Sequence, residues 1–126
     1  MLLAPHGGFY NNIETVDGKI KASDPFETLR FFEFPTAPQS LHLVLSLYAT
    51  AELRGMLSHR LRRGDDELYQ SRPIEVRFPD PGSAKQFDYV HELPDVVFPR
   101  PGLYHIDILF ARAVLYTAPL AIVQIR

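Results

Sequence analysis

Residues 98–108 limit the fold of this chain more than any other segment of the sequence. A turn formed by Pro101 and Gly102 runs directly into strict alternation. Apolar side chains occupy every second position, at Tyr104, Ile106, Ile108 and Phe110, and the positions between them include His105 and Asp107. A side-chain period of two is that of a β-strand with one buried face. The sequence therefore predicts a half-buried strand that begins at this turn.

Gly102 and Tyr104 predict how that strand is anchored. In immunoglobulin-like sandwiches, a tyrosine at the start of a late strand bonds back to the backbone of the preceding turn. The spacing Gly-x-Tyr fits this arrangement. We therefore predict that Gly102 and Tyr104 are structural residues and that the Tyr104 hydroxyl closes the corner.

Short strands separated by turns recur along the chain. Residues 41–49 alternate as a central strand, and further strands are predicted near 67–71, 74–78, 86–93 and 120–126. Turns are predicted at Asp17-Gly18, at 24–27, at 63–67 and at 79–83, where Pro and Gly cannot continue a ladder. Strands with turn signals about every 8–12 residues are typical of all-β sandwiches or barrels.

Residues 49–63 are ambiguous. Leu53, Met56, Leu57 and Leu61 fall at helical spacing, but the residues from Leu57 onward also alternate. Gly55 favours the strand, because glycine in a helix interior costs about 1 kcal/mol relative to alanine. We predict a strand and keep one short helix as the alternative. The fold class is then an immunoglobulin-like antiparallel β-sandwich of about seven to nine strands, formed by residues 1–126 as one domain.

Composition excludes several functional classes. The formal charge of −2 argues against a general nucleic-acid binder, which needs a basic excess. The chain has no cysteine, so it has no disulfide, thiolate metal site or cysteine nucleophile. No apolar run approaches the roughly 20 residues of a membrane helix, and the first residues lack a signal-peptide pattern. A cytoplasmic protein with no membrane association is predicted.

The five histidines do not form a metal-binding motif. They are His6, His42, His59, His91 and His105, with none of the close spacings typical of metal ligands. Strand alternation places His59 and His91 inward and His42 and His105 outward. His105 and Asp107 share one strand face and suit a general base, an ordinary polar surface or an interface. No catalytic residue, metal ligand or cofactor is predicted, which favours a protein without enzymatic activity.

Two segments are candidate binding surfaces. Arg60, Arg62 and Arg63 form part of the only basic concentration and are a candidate anion-binding site, since guanidinium groups bind phosphate or carboxylate in bidentate fashion. The favoured alternative is a solvated outer face whose charge is balanced by the acidic residues at 65–67. The terminal strand has apolar residues on both faces. We predict that it contributes to a homo-oligomer interface through Leu120, Ile122, Val123 and Ile125.

The whole chain resembles a family of small bacterial immunoglobulin-like β-sandwich proteins of unknown function. The resemblance rests on residues 16–20, Phe26-x-x-Leu29, Phe34-Pro35, the strand 41–47, Phe98-x-x-Pro101-Gly102-x-Tyr104 and residues 119–123. These positions are turns, strand ends and the corner tyrosine. The resemblance implies the fold and carries no active-site residue.

These observations predict a non-catalytic module for protein interaction or assembly. The alternative is a module that binds a carbohydrate or another small molecule, with Tyr48, Tyr69 or Tyr116 as stacking surfaces. A histidine metalloenzyme is the third hypothesis.

Overall fold

The computed structural model describes residues 2–17, 19–49, 52–78 and 85–125. These residues contain strands and no helix, so the short helix predicted as an alternative for residues 49–63 is absent from the described part of that segment. None of the described residues forms a helix that could span a membrane. The strands are β1 (Leu2–Val16), β2 (Lys19–Phe26), β3 (Thr28–Phe31), β4 (Gln39–Ala49), β5 (Leu53–Arg63), β6 (Asp66–Gln70), β7 (Ile74–Phe78), β8 (Lys85–Val96), β9 (Gly102–Phe110) and β10 (Ala113–Gln124).

Two sheets enclose one hydrophobic core. The first sheet has the order β2-β1-β4-β8, and the second has the order β3-β10-β9-β5-β6, with β7 also paired to β5. Alternate residues of β4, β5, β9 and β10 point between the sheets. Their fully buried members are Leu43, Leu45, Leu47, Leu57, Leu61, Tyr104, Ile106, Ile108 and Leu120. The period-two patterns of the sequence therefore identify the core faces of both sheets.

One strand pair departs from the predicted antiparallel arrangement. β3 lies parallel to β10, with Thr28 opposite Ala121 and Phe31 opposite Gln124. The chain leaves the first sheet at Phe26 and enters the second at Thr28, and the carbonyl of Glu27 accepts a hydrogen bond from the Ala121 amide at 2.8 Å. The predicted turn at residues 24–27 is therefore wrong, because a single residue carries the strand from one sheet to the other.

For residues 49–63 the sequence left open whether they form a strand or a helix. Residues 53–63 form a strand, as the alternation from Leu57 predicts, while residues 50 and 51 lie outside the described residues. Gly55 is tolerated because the Phe110 ring covers it: a Cβ built on Gly55 would lie 2.6 Å from Cζ of Phe110. The glycine that argued against a helix therefore makes room for an aromatic ring on the neighbouring strand.

Other predicted turns have mixed outcomes. Val16 pairs with Lys19 and Asp17 has a φ of 51°, which confirms the tight hairpin, although Gly18 itself is outside the described residues. The predicted loop at residues 79–83 is also outside them. β1 spans Leu2–Val16, a segment that the sequence analysis did not predict as a strand, and it pairs with β2 on one side and β4 on the other.

The Tyr104 corner forms as predicted. The Tyr104 hydroxyl donates a 2.6 Å hydrogen bond to the carbonyl of Arg100, and the ring is fully buried. Phe98 packs edge-on against this ring, with centroids 5.1 Å apart. Buried Thr36 in turn bonds to both the amide and the carbonyl of Phe98. The start of β9 is therefore fixed from both sides of the turn.

Removing the Tyr104 hydroxyl tests the corner. Tyr104→Phe keeps the packing but leaves the Arg100 carbonyl without this donor, so the free energy of unfolding should fall by about 1–2 kcal/mol. Chemical denaturation measures the change. Tyr10→Phe removes a hydroxyl from half-buried Tyr10 on β1 and should have a smaller effect. Equal effects of the two substitutions would contradict the assigned role of the corner.

Two strand glycines test the packing of Phe110. Gly55→Ala places a methyl group against the ring and should destabilise the protein by about 1–3 kcal/mol. Gly8→Ala on β1 is the matched control, since its nearest neighbour is 3.9 Å away. Thermal unfolding should separate the two variants, and a Gly55→Ala protein as stable as the control would refute the close contact.

Candidate functional site

A buried carboxylate lies on the outer face of the second sheet. Asp107 is only 1% exposed, although its side chain points away from the core. Arg60 donates to its Oδ2 from Nε at 3.0 Å and from Nη2 at 2.8 Å. Arg62 donates to Oδ2 from Nε at 2.7 Å and to Oδ1 from Nη2 at 3.3 Å. The Thr117 hydroxyl completes the set with a 2.8 Å bond to Oδ1.

Strand register brings these residues together. Asp107 on β9 lies directly opposite Arg60 on β5 and Thr117 on β10. Arg62 is two residues from Arg60, so it points to the same face and reaches the carboxylate diagonally. We call Arg60, Arg62, Asp107 and Thr117 the Asp107 cluster. Three adjacent strands contribute to it, and therefore the cluster exists only when β9 is central in the sheet.

The cluster keeps its charges fixed at neutral pH. Burial by itself raises the pKa of Asp107, but hydrogen bonds from Arg62, Arg60 and Thr117 outweigh that effect and lower it to about 2. The hydrogen bond to Asp107 raises the pKa of Arg62. Asp107 is consequently ionised throughout the physiological range, and its oxygens are occupied by donors. This carboxylate is unsuited to general base catalysis.

An open depression of about 550 Å³ lies over the cluster. Its wall includes Gly64, Asp65, Glu67 and Val114 in addition to the four cluster residues. The two guanidinium groups therefore face three carboxylates, including Asp107, so the depression has no cationic excess. A further bond from Arg62 Nη1 to the Gly64 carbonyl, 3.1 Å long, fixes the rim.

The three arginines of the predicted anion site are not together. Arg60 and Arg62 bind Asp107, whereas Arg63 follows on the opposite face of β5 and its Nε lies 3.2 Å from a Cβ built on Gly102. Alternation along one strand requires this separation. The structure thus provides an internal anion, Asp107, for the two arginines that share a face.

His105 does not pair with Asp107. The carboxylate binds arginine and threonine, and the buried Nδ1 of His105 has no hydrogen-bond partner in the part of the chain that the structure describes. His105 lies opposite Arg62 in the register of β5 and β9. Of the roles that the sequence left open for this pair, alignment of a general-base imidazole by the aspartate is therefore excluded, since stronger cationic donors occupy its oxygens.

The terminal strand is buried more deeply than an edge strand. β10 pairs with β9 on one side and β3 on the other. Leu120 and Ile122 belong to the core, Ile125 is half-buried, and Val123 is 41% exposed on the outer face. Of the four residues predicted for an interface, Val123 is thus the one whose side chain is most available to a partner. The homo-oligomer itself stays a prediction.

The three tyrosines of the carbohydrate hypothesis are half-buried. Tyr69 and Tyr116 pack against the core, and Tyr69 also stacks on His59, with ring centroids 5.7 Å apart. Tyr48 lies on β4 in the first sheet. A sugar-stacking platform needs an exposed ring face. These positions do not form one shared platform, and therefore the structure adds no support for carbohydrate binding.

His59 and His91 meet between the sheets. His59 on β5 is 3% exposed and His91 on β8 is half-buried, which confirms their predicted inward orientation. Their ring centroids are 4.8 Å apart with planes at 71°. Burial, followed by the charge of His91, lowers the pKa of His59 to about 4, and burial lowers the pKa of His91. Both imidazoles are therefore neutral at pH 7.

Sequence reasoning missed the central role of Asp107. It assigned this residue to a polar surface with His105 and assigned Arg60 and Arg62 to an external anion. The available signal was the equal two-residue spacing of Arg60 and Arg62 on one strand and of His105 and Asp107 on another. Only the pairing of β5 with β9 shows which of these residues are opposite each other.

Comparison with known proteins places the chain in a family without assigned activity. The model of a family of unknown function, DUF6941, matches residues 11–123, and the chain belongs to that family. A search of curated proteins matched none of them.

Two solved structures have a similar fold. A β-glucosidase from Listeria innocua is 8% identical with a TM-score of 0.56 over 98% of this chain and 16% of its own. The alkylpurine DNA glycosylase AlkC from Pseudomonas fluorescens, bound to DNA containing an abasic site analog, is 9% identical with a TM-score of 0.55 over 96% of this chain and 30% of its own. The chain thus spans less than a third of either enzyme, and the likeness concerns the fold alone.

Acid unfolding tests the Asp107 cluster. The folded-state pKa of Asp107 is about 2, against 3.8 for an unperturbed aspartate. The cluster should therefore stabilise the fold above about pH 4 by about 2 kcal/mol, and this contribution should disappear as the pH falls toward 2. Asp107→Asn removes the charge, should destabilise the protein by about 2–3 kcal/mol at pH 7, and should flatten this part of the pH dependence.

Denaturant titrations from pH 7 to pH 2 measure both effects. Asp66→Asn, at an exposed position on β6, is the control for loss of one negative charge. The assignment fails if Asp107→Asn and Asp66→Asn show the same stability at pH 7 and the same acid profile.

Proposed function

We propose that this member of DUF6941 is a non-catalytic assembly module that pairs with a second copy of itself. The pairing surface is the outer face of the second sheet, which we define by Leu103, Val123, Val114 and the Asp107 cluster. The observation that carries the proposal is the exposed apolar pair on adjacent strands: Leu103 is 54% exposed and Val123 is 41% exposed.

These two side chains lie close together. Leu103 on β9 is opposite Ala121 on β10, and Val123 is two residues farther along the same face of β10. Diagonal neighbours of this kind have Cα atoms about 7–8 Å apart. Val114, 55% exposed, lies beyond the Asp107 cluster on the same sheet. The outer face therefore has apolar ends and a rigid polar centre, an arrangement that suits an interface with anchored arginines.

The charges of this face are suited to a second copy. Arg60 and Arg62 lie beside Asp65 and Glu67 around one depression. In a two-fold interface the same patch is used by both subunits, so a surface with both signs can place cations of one copy against anions of the other. Because Asp107 already holds both guanidinium groups, their orientation costs little further entropy on association.

The area is also sufficient. The second sheet is five strands wide, which at about 4.8 Å per strand gives roughly 24 Å. The 9 residues of β9 extend about 30 Å at roughly 3.3 Å each. The face therefore offers roughly 700 Å² on each copy, close to the ~800 Å² per partner of standard interfaces.

Three finer assignments belong to the same proposal. The Tyr104–Arg100 hydrogen bond and the strand that changes sheets at Glu27 support an immunoglobulin-like sandwich. The similar structures use a unit of this size as a minor part of larger enzymes, which supports a role in assembly. The lack of cysteine fits a reducing compartment and supports a cytoplasmic location.

Sedimentation equilibrium tests the pairing. We expect the wild-type chain to be dimeric at high concentration. The double variant Leu103→Glu, Val123→Glu should be monomeric, because pairing would bury four unpaired carboxylates per dimer. Both positions are exposed, so the fold of the monomer should be retained, as thermal unfolding will verify.

Val90→Glu provides the matched control. Val90 is 37% exposed on β8 of the first sheet, and its substitution should leave the dimer intact. A strictly monomeric wild-type chain at about 1 mM would overturn the proposal, as would a dimer that Val90→Glu disrupts and the double variant does not.

A further inference from the structure

Four rings form a row between the two sheets. Tyr69 on β6 stacks on His59 on β5, His59 meets His91 on β8 edge-on, and Tyr89 on β8 stacks on His91. The row therefore links the second sheet to the first. It is separate from the outer face, since His59 and the Asp107 cluster lie on opposite sides of the second sheet.

Packing alone does not explain the choice of histidine here. Both ring nitrogens of His59 and Nε2 of His91 are buried, and none has a hydrogen-bond partner among the described residues. A neutral imidazole carries one donor and one acceptor, and buried groups of this kind are normally satisfied. Leucine or phenylalanine would fill this position without that cost. Two adjacent orphaned imidazoles therefore indicate a ligand.

The pair lies toward one edge of each sheet. β8 is an edge strand of the first sheet and β6 is an edge strand of the second. His91 is half-buried, so the row approaches the surface where these edges face each other. The backbone of His59 is fixed by Ser71, whose hydroxyl accepts from the His59 amide at 2.9 Å and whose amide donates to the His59 carbonyl at 2.9 Å.

We propose that His59 and His91 bind one late first-row transition-metal ion, each through one ring nitrogen, and so connect the two sheets. The observed ring spacing fits this role. With metal–nitrogen distances of about 2.0–2.1 Å, two imidazoles at a tetrahedral angle have centroids roughly 5 Å apart. The centroids of His59 and His91 are 4.8 Å apart.

The chemistry of the pair selects the metal class. Imidazole suits zinc, copper and nickel, whereas magnesium and calcium require oxygen ligands. A neutral imidazole coordinates such an ion through the lone pair of its unprotonated ring nitrogen. The Tyr89 ring stacks on His91 and flanks the site.

The described residues contain no group of three or more histidine and acidic side chains that could hold a metal. With two protein ligands, the remaining coordination positions belong to solvent or to an added ligand. Binding should therefore be weaker than at a closed four-ligand structural site. It should follow the order of divalent ions at nitrogen ligands, with copper tighter than zinc.

Calorimetry and thermal unfolding of untagged protein with zinc chloride, copper(II) chloride and magnesium chloride test the site. We expect one zinc or copper ion per chain, a rise of about 4 °C or more in the unfolding midpoint, and no effect of magnesium. His59→Leu and His91→Leu should each weaken zinc binding at least about tenfold, since either loss leaves a single imidazole. His42→Ala, on the outer side of β4, should bind zinc as the wild type does.

Ring nitrogen chemical shifts keep the test decisive if a leucine variant fails to fold. In the wild-type chain, zinc should shift the signals of His59 and His91 together and saturate at one equivalent, while His42 and His105 stay unchanged. Absence of saturable zinc and copper binding would overturn the site. Binding that perturbs other histidines and spares this pair would overturn it as well. Neither outcome bears on the oligomeric state, so the two proposals fail independently.

Discussion

The alternation of β9 is the constraint on which the rest of the structure depends. Tyr104, Ile106 and Ile108 enter the core, while His105 and Asp107 face outward. A slip of one residue would exchange the two faces and place Asp107 among leucines. The hydrogen bond from Tyr104 to the Arg100 carbonyl fixes where the alternation begins. That bond holds the start of β9, while burial of the alternate apolar residues sets the register of the core and of the Asp107 cluster.

The Asp107 cluster shows how a charged group can be buried outside a core. Five donor contacts from two arginines and a threonine replace the water that Asp107 would otherwise bind. Ion pairs of this kind contribute little net stability relative to apolar residues, but loss of one partner is costly. These ion pairs orient side chains instead, because the single Asp107 carboxylate bonds to residues of both neighbouring strands, β5 and β10. A rigid polar centre on an otherwise exposed sheet is what an assembly surface requires.

The inner and outer faces of the second sheet therefore have different roles. Asp107 is satisfied by its neighbours and stays charged, whereas both ring nitrogens of His59 and Nε2 of His91 lack a hydrogen-bond partner among the described residues. The first arrangement orients a surface, and the second offers free lone pairs between two sheets that share no strand. The Asp107 cluster and the histidine pair both use β5. Arg60 and Arg62 alternate along this strand with His59 and Leu61, so the two kinds of residue point to opposite faces of the sheet.

Local pattern alone determined the inner strands β4 and β9, the core faces of the sheets and the Tyr104 corner. Period-two alternation and Pro-Gly turns act over a few residues, and the inward orientation of His59 and His91 followed from the same rule. Strand partners could not be obtained in this way, because pairing joins residues far apart in the chain. The parallel contact of β3 with β10, the length of β1 and the coverage of Gly55 by Phe110 all depend on such partners.

The functional residues show the same difference between what local pattern predicts and what strand pairing decides. The sequence drew attention to Arg60, Arg62, Asp107, His59 and His91, but it did not place Asp107 beside the two arginines or the two histidines beside each other. Tertiary structure decided that Asp107 faces two arginines and that two histidines from different sheets touch. The physical reason is that a side chain's face is set by its own strand, whereas its charge balance and its ligands are set by the strands packed beside and across from it.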